Sequence, residues 1–487
     1  MDPLDSARAE LLRRRFVGLG LLAVGRGLLG CGSRSLATGA FVGGDGGVGG
    51  AAAASSPADA APGTAETNGA GSAARTGDDP GPAGLPEAGL GTTDSAPDAI
   101  VEANLDPGAG SAALAEPIAP SYNFELRDPD EFGLRLPPGF GARIVARSHE
   151  APLANRDHLW HGAPDGGATF ALADGGWVYV SNSEIGGGGG GVGALRFDRR
   201  GRLTDAYSIC SGTSRNCAGG ATPWGSWITC EEVDRGLCYE CDPLGQTPAR
   251  PLPALGAFTH EAIAVDAARG HLYLTEDVAD GRLYRFRSES VLQNGALDLE
   301  TGVLEVLQLL DPESGGVGLH MGWHVDWHAV PDPSAQSVVT RLQVEQSTPF
   351  AGGEGIVYHG GVVYFSTKLD NRIWALDVER QQLSLLYDHA SSENPILSGV
   401  DNLAVSPAGE ILVAEDPGNL ELVLLSASGK PTPLLQLTGH QGSELAGPAF
   451  DPSGRRLYFS SQRGPDPSLG QGYTFEIRGP FDRLQSG

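Results

Sequence analysis

From about residue 119 onward, apolar and polar positions alternate in short bursts that end in turns. The clearest are WVYVSNSE from Trp177, HLYLTED from His271, VVYFSTK from Val362, ILVAED from Ile411 and RLYFSSQ from Arg456. Alternation of period two predicts half-buried β-strands, because successive side chains leave a strand on opposite faces. Most of these runs follow a glycine-bearing turn and another strand pattern: EAIAVD at 261, EGIVYH at 354, DNLAVS at 401 and ELAGPAF at 444. Several precede a third, LYRF at 283 and IWALD at 373. With the segments around Trp177 and around Trp224 to Trp227, the unit of strand, turn, strand, loop, strand recurs about every 45 residues in about six copies. A nearly helix-free repeat of that length predicts an all-β chain folded as a six-bladed β-propeller over 119–487.

The segments before residue 119 read differently. Arg13, Arg14 and Arg15 precede Phe16 and an apolar run through Val24, the order of a charged segment and a short hydrophobic one in an export signal. Arg13-Arg14 with Phe16 resembles a twin-arginine signal, and Leu28-Leu29-Gly30-Cys31 resembles a lipobox that makes Cys31 a lipidation site. Residues 1–31 are therefore expected to be an export signal, leaving the protein periplasmic or at the cell surface, held to a membrane only through a lipid. Residues 32–118 carry Phe41 as their one aromatic and are otherwise rich in Gly, Ala, Ser, Thr and Pro. Such a stretch buries too little apolar surface to offset its ordering entropy and predicts a disordered tether.

Charge narrows the function. Lys and Arg number 33 against 60 Asp and Glu, a net charge of -27, and 46 of the acids lie in 119–487. That field repels phosphate backbones and excludes nucleic acid as a partner. It suits hard cations such as calcium, which take oxygen ligands. The repeats place the acids: Glu261, Glu354, Asp401 and Glu444 each begin the first strand of a copy, and propellers turn that strand toward the axis. Glu184, Glu232, Glu276 and Glu415 close the following strand, with Asp277 and Asp416 beside two of them. Carboxylates converging on one funnel repel each other unless cations sit between them.

Apart from Cys31 there are five cysteines, an odd number for an exported chain. Cys210 with Cys217, and Cys238 with Cys241, are close enough in sequence for small disulfide loops, although spacing does not fix connectivity. Cys230 is then left over in TPWGSWITCEE, where a thiolate needs a positive partner such as a metal. No second CxxC stands at zinc-finger distance. The Gly186 to Gly191 run lacks the Lys-Ser or Lys-Thr of a P-loop, and neither GxSxG nor HExxH occurs. His324, Asp326 and His328 alternate and share one face of a strand, which reads as structural. His260 beside Glu261 and His440 near Glu444 read as groups that orient a ligand.

The strings NCAGGATPWGSWITCEE at 216 to 232, FTHEAIAVD at 258 to 266, YLTEDVADGRLYRF at 273 to 286 and the Glu354-Gly355 pair resemble the PhoX-type alkaline phosphatase family, with the match spread over most of 120 to 480. The resemblance implies a propeller whose funnel holds ferric and calcium ions, export by the twin-arginine route, and hydrolysis of a small phosphate ester by a monomer. It implies that Cys230 is the iron-binding thiolate and that Glu184, Glu231, Glu261, Glu276 and Glu354, together with Glu232 and Asp277, are metal ligands. It also implies that Asn182, in SNSE, positions substrate oxygens, so that Cys230, Glu261 and Asn182 form the catalytic set.

One departure stands out. Where the family pattern has an arginine two residues before the Glu354 position, this chain has Gly352. A guanidinium there would grip a phosphate with two hydrogen bonds. Lys368, Arg372 and Arg463, each after a strand, are the candidates to supply a cation from elsewhere, or else ordinary surface ion-pair partners. DNLAVSPAGEILVAED at 401 to 416 resembles calcium-dependent lactonase propellers, so a lactonase is a second reading and a non-catalytic calcium-binding propeller a third.

Overall fold

The computed structural model describes residues 124–310, 322–467 and 471–484. The expected export signal (1–31), the lipidation site Cys31 and the linker (32–118) lie outside these. Among the described residues the only helices are three single 3-10 turns, Pro253–Leu255, Thr340–Leu342 and Phe481–Arg483. None is long and apolar enough to cross a membrane.

The strands fall into antiparallel units that we number as blades I to VI. Blade I runs Pro164–Ala171, Trp177–Ser183, Gly190–Phe197, Leu203–Thr213, and blade II runs Asn216–Ala221, Trp227–Glu231, Cys238–Cys241, Arg250–Pro251. Blade III is His260–Asp266, His271–Glu276, Leu283–Ser288, Gly302–Leu309; blade IV is Gly353–His359, Val362–Thr367, Arg372–Asp377, Gln382–Asp388. Trp323–Ala329 pairs with the outer strands of both and joins them into one nine-stranded sheet. Blade V is Val400–Val405, Ile411–Glu415, Glu421–Leu425, Pro431–Leu437, with Leu134–Arg135 added at its edge. Blade VI takes Leu445–Phe450, Arg456–Ser461 and Tyr473–Arg478 from the end of the chain, and its outer strand, Gly141–Arg147, from the beginning. That pairing of early and late segments closes the ring, and the inner strand of each blade is the edge of its sheet that faces the channel.

Six apolar clusters hold the ring, one between each pair of neighbouring blades. Leu412, Leu424, Phe459 and Phe475 join V to VI; Tyr179 stacks on Tyr458 at a centroid distance of 5.0 Å to join VI to I. Ile228 meets Leu272 between II and III, and Ile373 meets Val413 between IV and V. The half-buried alternation expected for the second strands is not what forms. Trp177–Ser183 and Ile411–Glu415 are buried at every position, because a blade is covered on both faces by its neighbours.

Candidate metal centre

Two positions in each blade build the funnel. On the inner strand, the register slips just after the first paired residues, between Pro164 and Gly167, Asn216 and Gly219, His260 and Ile263, Gly353 and Ile356, and Val400 and Leu403. A bulge of this kind re-aims the side chain that lies in it. The residues re-aimed are Asp165, Cys217, Glu261, Glu354 and Asp401; in blade VI the acid is Glu444, immediately before the strand. The second position is the residue that follows the second strand: Glu184, Glu232, Asp277, Lys368, Asp416 and Gln462.

All six inner-strand groups are buried, Glu261 with no exposed surface. Ligand atoms of Cys217, Glu232 and Glu261 lie within 4.8 Å of one another, as do those of Asp165, Glu184 and Glu444, and those of Glu261, Glu354 and Asp401. Three basic side chains enter the ring. Arg215 Nη2 donates to Glu184 Oε1 and Glu232 Oε2, both at 2.9 Å. Lys368 Nζ lies 2.9 Å from Glu354 Oε1, 3.1 Å from Asp401 Oδ2 and 2.9 Å from Asp416 Oδ2. Arg463 Nη1 donates to Glu444 Oε2 at 2.6 Å, and Gln462 Nε2 donates to Asp165 Oδ2 at 2.6 Å and Glu184 Oε2 at 2.9 Å.

These cations do not balance the site. Burial, then mutual repulsion, pushes the carboxyls of Asp165, Glu261, Glu354 and Glu444 well above their ordinary range. Glu232 is raised in the same way despite Arg215, and burial among acids raises the Cys217 thiol. Asp416 is the exception: burial would raise it, but the Lys368 ammonium holds it below the usual carboxylate value. Both carboxylate oxygens of Glu261 are buried without a hydrogen-bond partner. A native protein rarely leaves such atoms unpaired, and a cation is the ligand that would satisfy them.

Of the residues expected from sequence, the ring contains Glu184, Glu232, Glu261, Asp277, Glu354, Asp401, Asp416 and Glu444. Glu231 and Glu276 are each one residue too early and turn away from it. Glu231 accepts hydrogen bonds from the Ser214 and Leu237 amides, while Glu276 accepts from the Tyr284 hydroxyl at 2.8 Å and pairs with Arg341. Asn182 is committed to structure: its amide donates to the Cys217 and Ala218 carbonyls and its oxygen accepts from Trp227 Nε1. Cys230 lies away from the ring. It packs in the apolar cluster between blades II and III, directly opposite Cys238, with their sulfurs 3.8 Å apart. The thiol brought to the acids is Cys217, whose Sγ lies 3.6 Å from Asp165 Oδ2.

The expected disulfide loops do not form; all five described cysteines are free and buried. Cys238 and Cys241 share one strand three residues apart, so their side chains face opposite ways. Cys210 belongs to the outer strand of blade I and bonds to Cys241, while Cys217 belongs to the inner strand of blade II. The two histidines do not touch the acids they adjoin. His260 bonds Gly256 O and Cys238 Sγ, and His440 bonds Ser461 Oγ. His328 bonds Gln308 and His324 bonds Gln382. At the departure site, Gly352 has φ +68°, and a Cβ there would lie 3.1 Å from Leu369 Cγ and 3.2 Å from Asp277 Oδ1. Backbone and space both disfavour a side chain, so no guanidinium enters from this position. Of the three alternative cations, Arg372 pairs with Asp370 and Asp388, whereas Lys368 and Arg463 are in the ring.

The family model described as alkaline phosphatase PhoX matches residues 181–241 and 234–382, from blade I into blade IV. Among solved structures, Pseudomonas fluorescens PhoX in complex with vanadate, a transition-state analogue, is 15% identical; the alignment covers 75% of this chain and 99% of that one, with a TM-score of 0.62. A gluconolactonase from Xanthomonas campestris, XC5397, aligns over 70% of this chain and 99% of its own at 14% identity and a TM-score of 0.37. No curated protein matches the chain. With its family match inside the propeller and a fold shared over nearly the whole of the Pseudomonas protein, the chain is similar to the PhoX-type alkaline phosphatase family from blade I into blade IV.

Proposed function

We propose that the propeller is a metal-dependent hydrolase of small phosphate esters, working in the funnel ring outside the cytoplasm. The observation that carries this reading is Glu261, a fully buried carboxylate with two unpartnered oxygens among Cys217 and Glu232. The donor set fits the ions that the family implies. Asp165, Glu184, Glu232, Glu261 and Glu444 offer oxygens to calcium, and Cys217 offers a sulfur to iron once it is deprotonated. The family match supports phosphate as the substrate, as does the vanadate complex of the Pseudomonas protein.

When bound, the metal ions neutralise the phosphoryl oxygens and polarise the bond to be broken. This chain's own residues prepare the place. Arg215 and Arg463 draw Glu184, Glu232 and Glu444 into fixed orientations by charge-assisted bonds. Gln462 does the same for Asp165 and Glu184 with an uncharged donor. The surrounding strands keep bulk water from the acids, which strengthens every attraction inside the ring. No arginine fork meets the phosphate at Gly352, so its negative charge is left to the metal side of the ring.

The test is to purify the exported chain, measure metals by plasma mass spectrometry, and assay p-nitrophenyl phosphate with a lactone as control. Calcium with iron and a turnover abolished by chelation are expected. A fully metal-loaded protein that turns over no phosphate ester would end this reading.

A further inference from the structure

Five blades place an acid or an amide at the residue after the second strand: Glu184, Glu232, Asp277, Asp416 and Gln462. Blade IV places Lys368 there, and its side chain is only 14% exposed. The ammonium has three protons and meets three carboxylates, Glu354 of its own blade and Asp401 and Asp416 of blade V, at 2.9 to 3.1 Å. We infer that Lys368 is a built-in substitute for one metal ion, so that the corner between blades IV and V takes no divalent cation while the rest of the ring does. This rests on the metal-centre reading given above.

The geometry argues it directly. The trio Glu261, Glu354 and Asp401 has metal-binding spacing, yet two of its three members already hold the lysine. A divalent ion on the same oxygens would stand within a few ångströms of the ammonium, and two cations that close repel strongly in a buried site. The other two groups differ. Of Cys217, Glu232 and Glu261 only Glu232 holds a cation, Arg215, and in the trio Asp165, Glu184 and Glu444 the charge comes from two separate arginines, Arg215 and Arg463, each reaching one member from a more exposed position than Lys368. Lys368 is therefore a specificity-determining residue for how many metal ions the ring accepts.

The experiment compares the full exported chain with its K368M and K368R variants, each loaded with calcium, desalted and measured by plasma mass spectrometry. K368M should hold one more calcium per chain than the parent, and its melting temperature should become more calcium-dependent; K368R should match the parent. An unchanged calcium count in folded K368M would overturn the inference. A purely structural lysine would lower the melting temperature with no gain of calcium. Should K368M not fold, anomalous scattering from calcium-loaded crystals of the parent decides: an ion bound by Glu354, Asp401 and Asp416 overturns the proposal, and none there sustains it. A parent without any metal would instead refute the proposed function, which this design separates from the role of Lys368.

Discussion

The two ends of the central channel are lined by the same six inner strands and could hardly differ more. Where the strands begin, they present Asp165, Cys217, Glu261, Glu354 and Asp401, with Glu444 just ahead of the sixth. A few residues further on they present Gly167, Ala218, Gly220, Ala264, Gly355 and Ala449, around an apolar cavity of about 710 Å³. One end concentrates charge that folding alone does not stabilise. The other consists of residues small enough to let six backbones approach one axis: a Cβ on Gly220 would lie 2.2 Å from Ile263 O of the next blade, and one on Gly355 2.5 Å from Leu403 N. The scaffold is closed by packing at the small-residue end so that the acidic end can remain strained until a ligand arrives.

The largest break in this contrast comes from Glu261→Gln. Loss of the charge should remove at least one metal ion per chain and lower phosphate-ester turnover by about 100-fold or more, as expected when a group that stabilises the transition state is lost. The metal-free chain should respond in the opposite sense. Burial and the neighbouring acids raise the Glu261 carboxyl well above its ordinary range in the folded state, so at neutral pH this group opposes folding, a cost that glutamine does not bear. A higher melting temperature in chelator with lower activity in metal is the expected signature. Unaltered metal content would show that Glu261 is no ligand.

The acidic end was only partly legible in the sequence, and the reason lies in the same contrast. In blades III to VI the inner strands contain Ile263, Ile356, Leu403 and Leu445 beside their acids, so alternation revealed both the strand and the carboxylate. In blades I and II the inner strands begin PDGG and NCAGG, glycine-rich because the backbones crowd there, and carry no hydrophobic signal. Asp165 and Cys217 were therefore missed, and Cys230, on a strand that did alternate, was taken for the site thiol. Glu231 and Glu276 failed by a single residue. A one-residue step reverses the face of a strand, and nothing in a glutamate-acid pair shows which member follows the last ladder bond. The blade repeat itself was legible because every blade must bury both faces against its neighbours, which enforces apolar runs at a fixed interval.

At the small-residue end, Gly220→Ala should cost about 2–4 kcal/mol, because the obstruction is the Ile263 carbonyl rather than a movable side chain. For a domain of this size that is a fall of roughly 3–5 °C in melting temperature, with metal content per folded chain unchanged. Loss of metal at equal folded fraction would mean that the two ends are not separable. The cysteines sharpen the same division at smaller amplitude. Cys230→Ser buries a hydroxyl in an apolar cluster and should cost about 1–2 kcal/mol without altering metal or turnover. Cys217→Ser should leave stability nearly constant and deplete iron. The reverse pattern in iron analysis would return Cys230 to the centre.

The smallest effect tests whether charge alone sets the acidic end apart. Arg380 pairs with Asp377 at 2.5 Å, as close as any pair in the ring, but its side chain is 74% exposed. Water solvates both partners there, so Arg380→Ala should leave the chemical-denaturation midpoint and metal binding unchanged. A clear fall in that midpoint would contradict this. The contrast with Glu261 then rests on burial: the same carboxylate chemistry is nearly neutral on the rim of a blade and decisive on the axis, where Glu261 is fully buried and too few side-chain donors reach it.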